Sequence, residues 1–485
     1  MNLTTDPWIP VLWNDGATRA ATLADVFVRG HDIRDLAVRP HERIALMRLF
    51  LCVAHAALDG PEDAEELQEC LPRIVPAVQQ YLERWRLGFE LFGDGPRFLQ
   101  WRGKADGTEI SVHKLTFVDK DSPTLFDHDS TPDTPLPAGP LAIALISFQS
   151  FAAGGRVEGS ADSLKAGLCR QGSALHTFVR RESLLATIHA NLLTKEQIRR
   201  LAPLQWGKPA WEFSAVSVDE LAKVRDEVVC GYLSRLVPAT RALWIDPNQR
   251  MAVARGGVSY VGHPEMRDPT TSIVVTKKGD RVVVPGQSDK AIWRELHSLL
   301  VRRVTQAGVS GPLALENLGP NGSFDIWTGA LAGDQAKVVD AIESVFCIPA
   351  TMLFEPSQQT YAAGVKYAED TEFCLRRAVA TCHKERGDNL DRAEMRKRRD
   401  AIQAQAAFQF WTEVERAVPT LLAVVRDPAV LGTGNRWQAT AWGRTVRDAV
   451  LLAYETACPH ETGRQLHAFV KGLAILFPNS ANHSN

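Results

Sequence analysis

Between Phe117 and Gly159 the chain reads FVDKDSPTLFDHDSTPDTPLPAGPLAIALISFQSFAAGGRVEG. Pro123, Pro132, Pro135, Pro137 and Pro140 each lack a backbone donor and fix φ, so the first half of this stretch cannot sit in a regular element. The aspartates crowded among the prolines favour turns for their own reason, since their side chains bond to nearby backbone. From about Leu141 to Phe151 an apolar run predicts a helix, and it leads into Gly154-Gly155. A long loop inside a packed domain is either functional or disordered. We read this one as functional, and the rest of the chain as the frame that positions it.

That frame is large. At 485 residues the chain exceeds what one hydrophobic core serves, and two or three domains are expected. A net charge of −2 gives the whole molecule no electrostatic signature of nucleic acid. Any nucleic-acid surface must be a local patch, or be shared with more basic partners. The eight cysteines (Cys52, Cys70, Cys169, Cys230, Cys347, Cys374, Cys382, Cys458) form no CxxC pair, and several lie in apolar runs. This is the pattern of buried thiols in a reducing compartment. The start, MNLTTDPWIPV, has no basic segment followed by an apolar core, so no signal peptide is expected. The most apolar run, Ile44 to Leu58, holds Arg48 and His55 and falls short of a membrane span. The expected location is cytoplasmic.

Periodicity gives the elements. Residues 3–12 read as an extended arm and Pro40 to Leu58 as a buried helix. A second helix is expected from about Pro61 to Leu87, a turn at Gly93 to Pro96, and another helix from Leu184 to Leu193. Lys208 to Glu212 reads as extended. Ser272 to Val284 places two β-branched runs around Lys277-Lys278-Gly279-Asp280, a hairpin pattern. Asp289 to Val304 reads as a helix with Ser288 as its N-cap. Ser323 to Ala332 looks turn-rich and exposed. Beyond it Val338, Val339, Ile342, Val345 and Phe346 recur at helical spacing, with Asp334 as N-cap. Four amphipathic patterns follow, at about 358–385, 391–418, 436–457 and 460–477. Their stripes are Ile402, Ala406, Phe410, Val414 and Val418; then Trp442, Val446, Ala449 or Val450, and Ala453; then Leu466, Phe469, Val470 and Leu473. The fold class expected is α+β: a mixed α/β domain over 1–355, then a four-helix bundle over 356–485.

Chemistry is sparse. Asp127-His128-Asp129 could bind a metal in a phosphohydrolase, but such a site needs further ligands on rigid elements. The other His-Asp pair, His31-Asp32, lies in an expected loop, and nothing in the sequence brings the two together. A calcium loop fails because Pro132 stands where glycine is needed. Gly154-Gly155 could cradle an anion or a groove, or be a plain turn, and no Gly-Lys-Ser/Thr follows it. Basic clusters at Arg180-Arg181, Arg199-Arg200, Lys277-Lys278, Arg376-Arg377 and Arg396-Lys397-Arg398-Arg399 read either as solvated faces or as phosphate contacts. No HExxH, GxSxG or paired-carboxylate arrangement suggests an enzyme.

The order of the pieces carries more than any one of them. Asp6 to Val11 (DPWIPV), Pro96-Arg97-Phe98-Leu99-Gln100, the Phe126–His128 loop, the glycine pair, Pro209-Ala210-Trp211-Glu212, Gly333-Asp334-Gln335-Ala336 and the terminal helices come in sequence. This resembles the large (CasA-type) subunit of the type I-E CRISPR surveillance complex, Cascade, over essentially the whole chain. The resemblance implies a non-catalytic subunit without cofactor. Such a subunit works with guide RNA and other Cascade subunits, reads the protospacer-adjacent motif (PAM) of double-stranded target DNA, starts R-loop formation and recruits the system's helicase-nuclease. It implies Gln335, between Asp334 and Ala336, as the wedge between base pairs. It implies Gly154 and Gly155 as a glycine loop at the minor groove. Phe126, Asp127 and His128 would then sit beside the guide RNA and the PAM, with His128 where the family has Asn. Arg376, Arg377, Arg396, Lys397, Arg398 and Arg399 would line the displaced strand. Some members carry zinc-type cysteine pairs in the middle domain; Ile245 to Gly257 has none, so no zinc is expected.

Overall fold

Pro40 opens a helix that runs to Leu58 and is apolar on nearly every face, so it must be enclosed by other elements. Its start is fixed by Pro40 in the first turn and by the Glu42 carboxylate, which accepts from the Arg39 amide at 2.9 Å. Asp59 ends it in the left-handed region, φ 52°. Around this helix pack Leu71–Arg84, Ala138–Phe151, Tyr232–Leu236 and the strand Ser323–Asp334. The computed structural model describes residues 1–102, 108–117, 134–156, 163–164, 166–213, 215, 217–260, 267–305, 308–334, 337–386, 393–432 and 436–478. One compact unit takes Met1–Ile292, Ser298–Gly319 and Ser323–Cys347. A second takes Trp293–His297, Pro320–Gly322 and Ile348–Asn485.

The first unit holds small antiparallel sheets. Ile9–Trp13 is the middle strand between Thr18–Ala21 and Ile33–Leu36. Met251–Gly256 lies between Thr108–Ser111 and Arg241–Ile245. Ser323–Asp334 lies between Lys337–Pro349 and His176–Arg180, with Trp327 opposite Phe178. The expected hairpin forms from Ile273–Val275 and Arg281–Val283.

Four sequence expectations are corrected. The helix expected after Asp334 is a strand, and the turn-rich segment before it is its hairpin partner. Val339 and Val345 stand half exposed on this ribbon, so its apolar residues do not mark one buried side. The helix expected over Asp289–Val304 is reduced to a 3-10 turn, Ile292–Glu295, and one helical turn, Leu296–Leu299. Ile292, Trp293, Leu296, Leu299, Leu300 and Val301 are all buried, and no single stripe decides the conformation. Ala210–Phe213 is a 3-10 turn rather than extended. The helix expected over Pro61–Leu87 is two, Ala64–Glu69 and Leu71–Arg84, the second opened by Pro72.

In the second unit Glu355–Glu385, Ala393–Arg416, Ala441–Ala457 and Gly463–Leu476 are the four long helices, as the α+β reading required. A shorter helix, Val418–Arg426, was not foreseen; Pro419 starts it afresh. The stripes from Ala406 to Val418 and from Trp442 to Ala453 are buried as read, with Ile402 half-buried; on the last helix Leu466 and Val470 face outward, and Phe469 makes the contact together with Ala468 and Gly472. The Trp442 indole donates to the Gly364 carbonyl at 3.0 Å, and the Tyr454 hydroxyl to that of Phe469 at 2.8 Å. No helix among the described residues is long and apolar enough to cross a membrane.

Arg48 sits at 1% exposure in the middle of the buried helix. Its guanidinium pairs with Asp268 and donates to the carbonyls of Leu236, at 3.0 Å, and Arg235, at 2.6 Å. Burial is the largest influence and pushes the Asp268 carboxyl up, but Arg48, His176 and the hydrogen bonds from Thr270 together outweigh it and hold the group below the usual carboxylate range. Removing one partner of a buried, bonded ion pair leaves the other charge uncompensated, at roughly 3–5 kcal/mol. Asp268→Ala is therefore expected to lower unfolding free energy by about that amount, read as the midpoint shift in urea denaturation.

Acid should act on the same core. Burial pushes His41 and His55 down to about 3 and His176 down to about 4, so all three are neutral when folded. In the unfolded chain they take protons near pH 6.5. Stability is then full above about pH 6.5 and drains as pH falls toward 4, with Asp268 adding its own loss below about pH 4. Thermal midpoints between pH 7.5 and 4.5 are expected to fall steadily, and replacing His55 by Gln should flatten part of that slope.

Candidate nucleic-acid interface

Three backbone segments of the first unit converge. The helix Ala138–Phe151 ends in Ala152, whose carbonyl accepts from the Gly167 amide at 2.8 Å. Buried Arg241 holds the next residue, donating from Nη2 to the Ala153 carbonyl at 2.6 Å. Gly154 follows, exposed, and Gly155–Arg156 then pairs antiparallel with Ser163–Leu164 in a two-stranded ribbon. Gly167 has no room for a side chain: a Cβ would lie 2.4 Å from the Ser150 carbonyl oxygen.

From Gly167 the chain runs through a kinked 3-10 segment, Leu168–Ser173, to the hairpin Ser323–Pro349. The Ser173 hydroxyl accepts from the Gly333 amide at 3.1 Å. Six residues thus join the base of the glycine pair to the end of the hairpin. Even fully extended they span roughly 20 Å. Gly286 packs beneath the ribbon, where a Cβ would meet Ala330 Cβ at 2.6 Å and Ile342 Cδ1 at 2.9 Å. The Gly286 amide donates to the Ser173 carbonyl at 2.8 Å, closing this support.

Charge fixes the hairpin's other side. Arg43 pairs with Asp35, lies 3.9 Å from the Glu343 carboxylate and stacks on Trp327 at 5.3 Å. The Trp327 indole donates to Glu343 at 2.6 Å. Arg180 reaches Asp35 at 3.2 Å and Asp325 at 4.0 Å.

The expected site residues fall into three groups. Gly154, Gly155 and Asp334 are placed by these segments; Asp334 ends a strand. Gln335, Ala336, Phe126, Asp127 and His128 lie outside the described residues. The basic cluster is on helices of the second unit. Arg396, Lys397 and Arg398 are exposed, Arg399 pairs with Asp400 at 2.9 Å and Arg376 pairs with Glu372. Arg377 lies over Phe373 at 5.9 Å. The Gln403 amide donates to the Arg376 carbonyl at 2.7 Å, so the two basic runs sit on adjacent turns of neighbouring helices. Of the other clusters, Arg180, Arg199 and Arg200 are neutralised by acids, while Lys277 and Lys278 are exposed at their hairpin turn.

Cys169, His176 and Asp268 are the one group of potential ligand atoms that converges among the described residues, all within 4.8 Å. Both nitrogens of His176 are engaged, with Thr270 Oγ1 at 2.7 Å and the Cys169 carbonyl at 3.2 Å. Arg48 already supplies the positive charge that a cation would bring. The arrangement is a structural polar core.

Sequence reading missed the supports: Gly167, Ser173, Arg241 and Gly286. Gly172-Ser173 carried a turn signal, with φ of 62° and 49°. Nothing local marked Arg241, which acts 88 residues from Ala153.

Comparison with known proteins gives the family and the fold. The CasA/Cse1 protein of Thermus thermophilus is 25% identical, covering 94% of this chain and 91% of its own. The solved structure of Thermus thermophilus CasA (Cse1) matches with a TM-score of 0.79 at 22% identity, over 98% of both chains. A chain of a solved CRISPR RNA-guided surveillance complex matches with a TM-score of 0.74 at 17% identity, over 98% of this chain and 99% of its own. The family model described as CRISPR-associated protein Cse1 matches residues 2–453. The chain belongs to the CRISPR-associated Cse1 family.

Proposed function

We propose that this chain is the non-catalytic subunit of an RNA-guided surveillance complex that reads the PAM of double-stranded DNA and begins to part the strands. The supporting observation is that Ala152, two residues before the exposed Gly154, and Gly333 at the end of the hairpin are bonded to opposite ends of one short segment, Gly167–Ser173. A backbone without side chains can approach the shallow minor groove, whose pattern readout is degenerate. Gln335, which follows Asp334 in the sequence, brings an amide that can press between base pairs and offer donors and acceptors to the unpaired bases. The near-neutral charge fits a subunit that reads a few base pairs and takes its affinity from an RNA-bearing assembly.

Family membership supports wider roles. The Phe126–His128 loop docks beside the guide RNA, with His128 adjusting motif preference. The exposed Arg396–Arg398 run, with Arg376 and Arg377, guides the displaced strand. The assembled complex recruits the helicase-nuclease in the cytoplasm. The metal-hydrolase reading gains no support: Asp127, His128 and Asp129 lie outside the described residues, and among those described no further ligand group converges on the exposed His31-Asp32 pair.

Titrating duplex targets with the reconstituted guide-RNA complex tests the reading. Gln335→Ala and Gly154→Asp are each expected to weaken binding by about tenfold or more, roughly 1.4 kcal/mol, and to blunt its dependence on the flanking motif. Equal binding by the complex without this chain, whatever the flank, would overturn it.

Gly286→Val tests the support at a distance. Forcing a side chain against Ala330 and Ile342 should cost about 1–3 kcal/mol and lift the ribbon. Amide exchange within Ser323–Pro349 should quicken, and motif-dependent binding should drop with it.

A further inference from the structure

Two tryptophans of the first unit each carry two arginines, and the two sites differ in charge balance. Over Trp13 lie Arg19, at 5.2 Å from the ring centre, and Arg29, at 4.3 Å. Each has an acid: Arg19 pairs with Asp15 at 2.6 Å and Arg29 reaches Asp32 at 3.8 Å. Over Trp244 lie Arg97, at 3.9 Å, and Arg102, at 4.5 Å. Neither forms an ion pair among the described residues. Arg97 donates from Nε to the Gly93 carbonyl at 2.7 Å and from Nη1 to the Ile245 carbonyl at 2.9 Å. Arg102 donates from Nη2 to the Asp94 carbonyl at 3.1 Å.

Carbonyl oxygens fix the two guanidiniums but bring no negative charge. The Asp94 carboxylate lies close enough to favour the charged form of Arg97 without pairing with it. Burial first, and then the charge of Arg102, push Arg97 below its ordinary range. Most of the pair's ten N–H donors have no partner among the described residues.

The platform is rigid. Trp244 stands in the strand Arg241–Ile245, opposite Val253. The Ile245 amide donates to Gln100 Oε1 at 3.0 Å, and the Trp101 amide to the Leu243 carbonyl at 3.0 Å. Phe98, Leu99 and Gln100 are buried, so Arg97 is the arginine that the Pro96–Gln100 motif brings to the surface edge. Like charges held together with no paired acid among the described residues destabilise the free protein and are relieved by an anion. Two planar forks suit a phosphate better than a lone carboxylate, since each fork can take two oxygens.

We propose that Arg97 and Arg102, seated on Trp244, form a phosphate site that takes a backbone phosphodiester of nucleic acid. It rests on the reading above only for the choice of nucleic acid over another phosphate. The site reads no sequence, because phosphate contacts position a strand without identifying it.

The test uses the full chain and labelled probes without any PAM: a 12-nucleotide RNA, the same DNA single strand and a 20-base-pair duplex, followed by anisotropy from low to moderate salt. Arg102→Gln should weaken the probe that uses the site about three- to tenfold and lower its salt slope by about 1. Arg19→Gln with Arg29→Gln, at the neutralised tryptophan, should change neither. Loss on RNA alone identifies a guide-like strand as the source, and loss on duplex alone identifies the target. Arg102 is exposed and makes one carbonyl bond, so its variant should melt like the parent; Arg102→Glu serves as a second variant and should weaken binding further. Unchanged affinity and slope on all three probes, or no binding of the parent to any probe at low salt, overturns the proposal. Motif dependence, the readout for Gln335, does not enter, so the two readings fail separately.

Discussion

The Arg48–Asp268 pair is the interaction on which the first unit depends. A guanidinium in the centre of a helix that is otherwise apolar on most faces demands a carboxylate and carbonyl acceptors. Asp268 supplies the first; Arg235 and Leu236 supply the second. The effect then passes along the backbone. Asp268 accepts from the Thr270 amide and hydroxyl, and the Thr177 amide donates to the Thr270 carbonyl at 2.9 Å. Thr177 belongs to His176–Arg180, the strand that pairs with Ser323–Asp334. One buried charge therefore sets where the hairpin stands relative to the central helix.

What the hairpin and the glycine pair share is support rather than chemistry. The hairpin carboxylates of Asp325 and Glu343 are taken up by Arg180, Arg43 and the Trp327 indole. The hairpin and the glycine pair each bring backbone held at a chosen place, through Arg241 and Gly167 on one side and through Ser173 and Gly286 on the other. Such a site suits reading a groove and parting a base pair. Positional precision decides those tasks, and side-chain reactivity does not.

Much of the frame was legible in the sequence. Pro40–Leu58 declared itself by an apolar run with Pro40 at its head and internal Arg48 and His55 that barred a membrane. The bundle declared itself through stripes such as Phe410 and Val414. The hairpin was misread because Val338, Val339, Ile342, Val345 and Phe346 fit helical spacing, while on the ribbon Val339 and Val345 face solvent. Lys337–Pro349 is an edge strand of its sheet, so helical spacing of its apolar residues does not mark a buried face. The site's parts were legible only through the family's order of motifs. Its supports act across 88 residues at Arg241–Ala153 and 160 at Ser173–Gly333, and no local signal names these partners.

The central claim is that the hairpin turn opens the duplex beside the glycine pair. Fluorescence of 2-aminopurine, placed in the first base pairs next to the flanking motif, reads that opening directly in the reconstituted complex. A rise on binding that vanishes when this subunit is omitted, and shrinks with Gln335→Ala, is the result the account predicts. An equal rise without the subunit would contradict it.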